Sequence, residues 1–329
     1  MPQNKYPVWN EGEYSYPAAY GFVPFLVPYL HEDDTVRPCV IICPGGGYHV
    51  VSPTEGELVA KAFLEKGFQA FVFTYTCNLL HLAPLKKQPL NDLSRAVRYV
   101  RKNASLFRVN PDQVAVCGFS AAGHLCATLA VHFEDAQEPD PAYAAVSNRP
   151  DAVVLSYPVI TSGPFAHRDS FIALLGDNAS EEELRYMSLE TQVKENTPPC
   201  FLWQTATDEL VPVENSAFMA QALKEKGIPF AYHVFTDGVH GLSVATEAWA
   251  QGCFGEPYTM EQTMNLVAAI KDGTLSVPAD TRSQLLAQFD SPAGNIPELP
   301  EEQRPKANPE AAVWPALASA WLKKMLKAG

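Results

Sequence analysis

The stretch Val114-Ala115-Val116-Cys117-Gly118-Phe119-Ser120-Ala121-Ala122-Gly123-His124 decides the fold. A short apolar run reaches a glycine, a serine follows two residues later, and small residues then open a helical pattern. This is the form of a strand turning sharply into a helix, which lifts a serine hydroxyl clear of a sheet. Such a turn strains the serine backbone, and strand and helix approach so closely that neighbouring residues must be small. Gly118 and Ala122 occupy those two places. The usual pattern, G-x-S-x-G, has glycine at the second, one methyl smaller.

On either side, strand-like and helix-like segments alternate. Residues 23–30 predict an early strand, interrupted by Pro24 and Pro28 and therefore placed at a sheet edge. Residues 39–43 form a fully apolar strand that runs into Pro44-Gly45-Gly46-Gly47-Tyr48. A helix is expected over 55–66, where Leu58, Val59 and Phe63 keep helical spacing and Gly67 ends the pattern. Strand 70–75 follows, then helix 91–106 with Leu93, Ala96, Val97 and Val100 on one face, then strand 113–117 into the serine turn and helix 121–132. Strands 152–157, 200–205 and 230–235 complete the set, with a helix at 216–226. Continuous apolar strands separated by amphipathic helices predict an α/β fold with a mostly parallel sheet covered on both faces.

The pattern changes near residue 245. Residues 247–310 are rich in proline, glutamate and glutamine, with short helices expected at 259–271 and 281–289 and an exposed linker at 297–302. A final amphipathic helix at 311–326 places Trp314, Leu317 and Trp321 on one side. The reading is one sheet domain over 1–329 with an excursion at 247–310 before the C-terminal helix. An excursion of that length is expected to be either a cap over the site or a peripheral insertion or dimer contact.

Composition narrows the function classes. The 329 residues carry a net charge of −13, which argues against nucleic acid and anionic membrane surfaces as partners. No stretch approaches the ~20 continuous apolar residues of a membrane helix, and residues 1–16 lack the basic and apolar regions of a secretory leader. Of seven cysteines, Cys39, Cys43, Cys117 and Cys126 fall in apolar segments, and no Cys/His spacing resembles a metal site. The expectation is reduced, structural cysteines in a cytoplasmic protein.

Acyl transfer by a serine needs a base, a carboxylate that orients the base, and donors for the developing oxyanion. Of eight histidines, His240 fits the base: it lies just beyond the last strand in Phe235-Thr236-Asp237-Gly238-Val239-His240-Gly241. His124 sits one turn along the elbow helix, where a packing or hydrogen-bonding role is expected. His31, His81, His132, His167 and His233 have no motif support. Asp208, closing the strand at 200–205, is the expected acid, with the adjacent Glu209 as the alternative; Asp237 reads as solvated. Gly46, Gly47 and the Ala121 amide are the expected oxyanion donors, each typically worth about 3–4 kcal/mol in the transition state. Tyr48 and His49, directly after the glycines, are candidate substrate contacts. A dinucleotide-binding loop would need G-x-G-x-x-G running straight into a helix, whereas Tyr48-His49-Val50-Val51 intervenes.

Taken together, PGGGY at 44–48, GFSAAGHL at 118–125, SYPVI at 156–160, TPPCFLWQTATDELVPVENS at 197–216 and HVFTDGVHGLS at 233–243 resemble α/β-hydrolases of the acetylesterase and xylan-esterase type. The similarity spans most of 20–245 and the last helix. It implies the α/β-hydrolase fold and carboxylester hydrolysis, commonly removal of acetyl groups from sugars or oligosaccharides. By motif position it implies Ser120 as nucleophile, Asp208 as acid and His240 as base, without metal or cofactor. Two positions depart from the group: Ala122, and Gln204 where histidine is frequent. The expected partner is a small ester or acetylated oligosaccharide, with a homo-oligomer possible. The alternatives are a peptidase or amidase on the same fold and a non-catalytic binding protein that keeps the scaffold.

Overall fold

A computed structural model describes residues 4–81, 83–289 and 306–327. Eight strands form one sheet: β1 (Tyr6–Pro7), β2 (Phe25–Tyr29), β3 (Arg37–Cys43), β4 (Gln69–Thr74), β5 (Val109–Phe119), β6 (Ala152–Ser156), β7 (Cys200–Thr205) and β8 (Phe230–Phe235). Their order is β1-β2-β4-β3-β5-β6-β7-β8. The pairs β1–β2 and β2–β4 are antiparallel, and the remaining neighbours pair parallel.

Alternation along β5 shows why the strands read as unbroken apolar runs. Val114 and Val116 pack into one hydrophobic cluster, Ala115 and Cys117 into the other. Both faces are covered, so both sets of side chains must be apolar. Helices Gln88–Lys102, Ser120–His132 and Glu214–Glu225 supply one cover, through residues such as Leu93, Leu125 and Met219. Helices Glu57–Leu64 and Trp314–Met325 supply the other, through Val59, Phe63, Trp314 and Leu322. Among the described residues no helix is long and apolar enough to cross a membrane.

The early strand lies one position in from the sheet edge, not at it. The two-residue β1 pairs only with Phe25 and Leu26. At Pro28 the strand again has a partner on one side only, β4, so the missing N–H leaves no gap in a ladder between two strands. Between β6 and β7 lie two helices beyond those expected, Arg168–Leu175 and Glu181–Tyr186. The second carries a legible signal, a capping box in which the Ser180 hydroxyl accepts from the Glu183 amide and the Glu183 carboxylate accepts from the Ser180 amide.

The excursion carries helices Glu261–Asp272 and Ala279–Phe289 close to the expected positions. The expected linker at 297–302 lies outside the described residues. Gln262 anchors the first of these helices. Its amide nitrogen donates to the Ala18 and Cys77 carbonyls (2.8 and 2.9 Å), and its oxygen accepts from the Cys77 amide (2.9 Å). The next residue, Asn78, donates its amide to the Tyr48 carbonyl at 2.8 Å. The described part of the excursion therefore braces the glycine loop from behind.

Candidate active site

The serine turn has the geometry its residues require. Ser120 sits at φ 53°, in the left-handed region, between the end of β5 and the first turn of the helix Ser120–His132. A Cβ on Gly118 would lie 2.1 Å from the Ala122 carbonyl oxygen and 2.7 Å from Cys126 Sγ, so only glycine fits. Ala122 is fully buried with its methyl accommodated. The second close approach falls instead at Gly123, where a Cβ would meet Pro158 at 2.6 Å.

Three side chains from separate loops converge here. His240 Nε2 lies 2.8 Å from Ser120 Oγ, and its Nδ1 lies 2.7 Å from Asp208 Oδ2. The carboxylate can only accept, so Nδ1 carries the proton and Nε2 is free to accept from the serine hydroxyl. The other Asp208 oxygen accepts the amides of Leu210 and Val211 at 3.1 and 3.0 Å, which fixes the carboxylate in its loop. Gln204 braces the same loop: its buried amide nitrogen donates to the Val211 carbonyl and its oxygen accepts from Ser216 Oγ. Gly238 makes the His240 loop possible at φ 147°, and its carbonyl accepts from Thr205 Oγ1 at 2.9 Å.

The glycine loop packs against the serine turn. Gly46 and Gly47 both have positive φ, 128° and 66°. The Gly45 amide donates to Glu55 Oε2 at 2.7 Å, while those of Gly46 and Gly47 donate to nothing among the described residues. These two amides, with that of Ala121 at the helix start, are the available donors near Ser120.

One expectation needs correction. Tyr48, read as a substrate contact, is 2% exposed and its hydroxyl donates to His124 Nδ1 at 3.0 Å. The left-handed backbone at Tyr48 (φ 63°) goes with a ring buried in the core, so this residue is a strut. His124 in turn donates Nε2–H to the Met187 carbonyl at 2.9 Å; burial pushes its pKa down to about 4, so the ring is neutral. His49 remains half-buried and stacks on His81, with ring centroids 4.6 Å apart. Its pKa is lowered by burial and by the neighbouring His81. The pKa of His167, without motif support in the sequence, is lowered chiefly by burial and next by His240.

Sequence reading also missed Glu55 and Tyr157. Glu55 is 4% exposed and accepts the Tyr157 hydroxyl at 2.6 Å as well as the Gly45 amide. Burial raises its pKa, with the two hydrogen bonds opposing. Tyr157 falls within the quoted SYPVI motif, but a tyrosine ending an apolar strand gives no sign of a buried acidic partner about a hundred residues earlier. Asp237 and Glu209 are exposed, away from these contacts. Among the described residues no group of three or more His, Cys, Asp or Glu is placed to hold a metal ion.

A parallel sheet, a serine at a sharp strand-to-helix turn and an imidazole–carboxylate pair on later loops define the class: the chain is an α/β-hydrolase. Within that class it belongs to the BD-FAE family, which matches residues 27–223. It is 53% identical to endo-1,4-beta-xylanase B of Butyrivibrio fibrisolvens over 80% of this chain and 41% of that protein. It is 29% identical to acetylxylan esterase of Xylanibacter ruminicola over 67% of this chain and 44% of the relative. The chain thus spans less than half the length of these two relatives. Among solved structures it resembles an acetyl ester-xyloside bifunctional hydrolase from Caldicellulosiruptor lactoaceticus. That likeness has a TM-score of 0.69 and 38% identity, covering 77% of this chain and 95% of that one.

Proposed function

We propose that the protein is a serine carboxylester hydrolase that removes acetyl groups from xylan-derived sugars or oligosaccharides. The observation that carries this reading is the continuous relay from Ser120 Oγ through His240 to Asp208. Ser120 attacks the ester carbonyl as His240 Nε2 takes its proton, and Asp208 stabilises the imidazolium. Gly46, Gly47 and Ala121 donate to the oxyanion. His240 then protonates the leaving alkoxide, and water hydrolyses the acyl-enzyme by the same route.

Two of the relatives act on xylan by name, one as a glycosidase and one as an esterase. The chemistry of this site favours the esterase. Glycoside hydrolysis ordinarily needs two carboxyl groups flanking a sugar with open space between them. Here Asp208 is held by His240 and two backbone amides, and Glu55 is buried on Gly45 and Tyr157.

Acetate release from acetylated xylo-oligosaccharides, with 4-nitrophenyl acetate in parallel, tests the reading. Ser120→Ala is expected to lower kcat by on the order of 10⁶ on both substrates. A variant keeping more than roughly a tenth of the wild-type rate would remove Ser120 from the mechanism. Faster cleavage of an aminoacyl amide than of any ester would move the protein to the peptidases.

A further inference from the structure

We infer that Glu55 is a positioning residue that ties the oxyanion loop to the loop of the catalytic base. This inference rests on the serine-hydrolase reading above and extends it to a residue that the relay itself does not include.

Four contacts carry it. Glu55 Oε2 accepts the Gly45 amide at 2.7 Å, at the head of the loop whose next two amides are the proposed oxyanion donors. Glu55 Oε1 accepts the Tyr157 hydroxyl at 2.6 Å. The Tyr157 oxygen accepts the Ser243 amide at 3.0 Å, three residues beyond the base. The Tyr157 ring also stands edge-on to the His240 imidazole, with centroids 5.0 Å apart at 69°. One carboxylate therefore reaches both halves of the site. Packing leaves little slack: a Cβ on Gly45 would lie 3.0 Å from Glu55 Oε2 and 3.0 Å from Ser120 Cβ. The Ser243 hydroxyl donates to the Thr54 carbonyl at 2.7 Å, closing the ring of contacts back onto the residue before Glu55.

Glu55 has no salt-bridge partner among the described residues. Burial raises its pKa and the two donors oppose that, so these hydrogen bonds are what hold the carboxyl group in place.

Three variants, assayed on 4-nitrophenyl acetate, separate positioning from scaffolding. Glu55→Gln keeps the shape but offers one acceptor to two donors. It is expected to lower kcat by about 10- to 100-fold with little change in KM, because the loss falls on groups used in the transition state. Glu55→Asp restores both acceptors at shorter reach and should return part of that kcat with KM in place. Tyr157→Phe cuts the link to Ser243 and should lower kcat, again with little change in KM. A folded Glu55→Gln enzyme with kcat within about twofold of wild type overturns the inference. If that variant does not fold, unchanged kcat in Tyr157→Phe overturns it equally. A wild-type protein that cleaves no ester would overturn the proposed function instead, so the two failures are distinguishable.

Discussion

At the scale of single residues, the elbow separates two glycine positions that its sequence pattern treats alike. Gly118 has a backbone oxygen where its Cβ would go, and backbone cannot rotate aside as a side chain can. Gly118→Ala should therefore destabilise the fold by about 1–3 kcal/mol through overpacking, and it should displace Ser120. The Ala122 methyl is already accommodated in the core. Ala122→Gly should cost only about 1 kcal/mol of helix stability and leave kcat within a few-fold of wild type. Thermal unfolding together with ester turnover checks both. A well-folded, active Gly118→Ala enzyme would contradict the geometry. The departure at Ala122 thus has a physical reading: the close approach that a second small residue serves falls one position later, between Gly123 and Pro158.

At the scale of elements, His124 joins the elbow helix to the glycine loop through Tyr48 and to the segment before β7 through Met187. Its folded pKa of about 4 lies below its ordinary 6.5, so the unfolded chain takes up this proton first as pH falls. The stability of the neutral ring is complete above pH 6.5 and is lost on descending towards 4, on the order of 3 kcal/mol in total. His124→Gln cannot titrate there. Its melting temperature should gain steadily on that of the wild type between pH 6.5 and 4. Parallel melting curves for the two proteins over that window would show that His124 does not make this contribution. The sequence marked His124 as structural from its place on the helix, but its two partners lie far apart in the chain and no spacing announces them.

At the scale of the whole molecule, the chain leaves the sheet after β8 and returns as a helix that closes the core. Trp314 stacks on Trp203 of β7, with centroids 5.2 Å apart at 17°, and its indole N–H donates to the Ser243 carbonyl at 2.7 Å. Asn308 donates to the Asp237 carbonyl at 2.8 Å, so the returning segment also holds the His240 loop. Trp314→Ala should cost about 3–5 kcal/mol and lower kcat as well, because Ser243 lies three residues beyond His240. Trp314→Phe should recover much of the stability and little of the turnover. Full turnover in the phenylalanine variant would show that the hydrogen bond to Ser243 does not support the site.

What the sequence by itself determined was local. Period and punctuation marked seven of the eight strands; the parallel ones inside the sheet, β3 to β7, are buried on both faces and so read as apolar runs. The glycines at 45–47 and 118 stood out because each sits where a side chain would obstruct a turn or a close approach. Chain order after the strands then paired Ser120 with Asp208 and His240, which the fold brings within hydrogen-bond distance. Tertiary structure alone decided which way side chains turn and which distant residues share a proton. It buried Tyr48 against His124, braced the Asp208 loop with Gln204, and joined Glu55 to Gly45 and Tyr157. Hydrogen bonds between residues a hundred positions apart leave no periodicity in the sequence, because they depend on how loops meet at the carboxyl edge of the sheet and on nothing local to either partner.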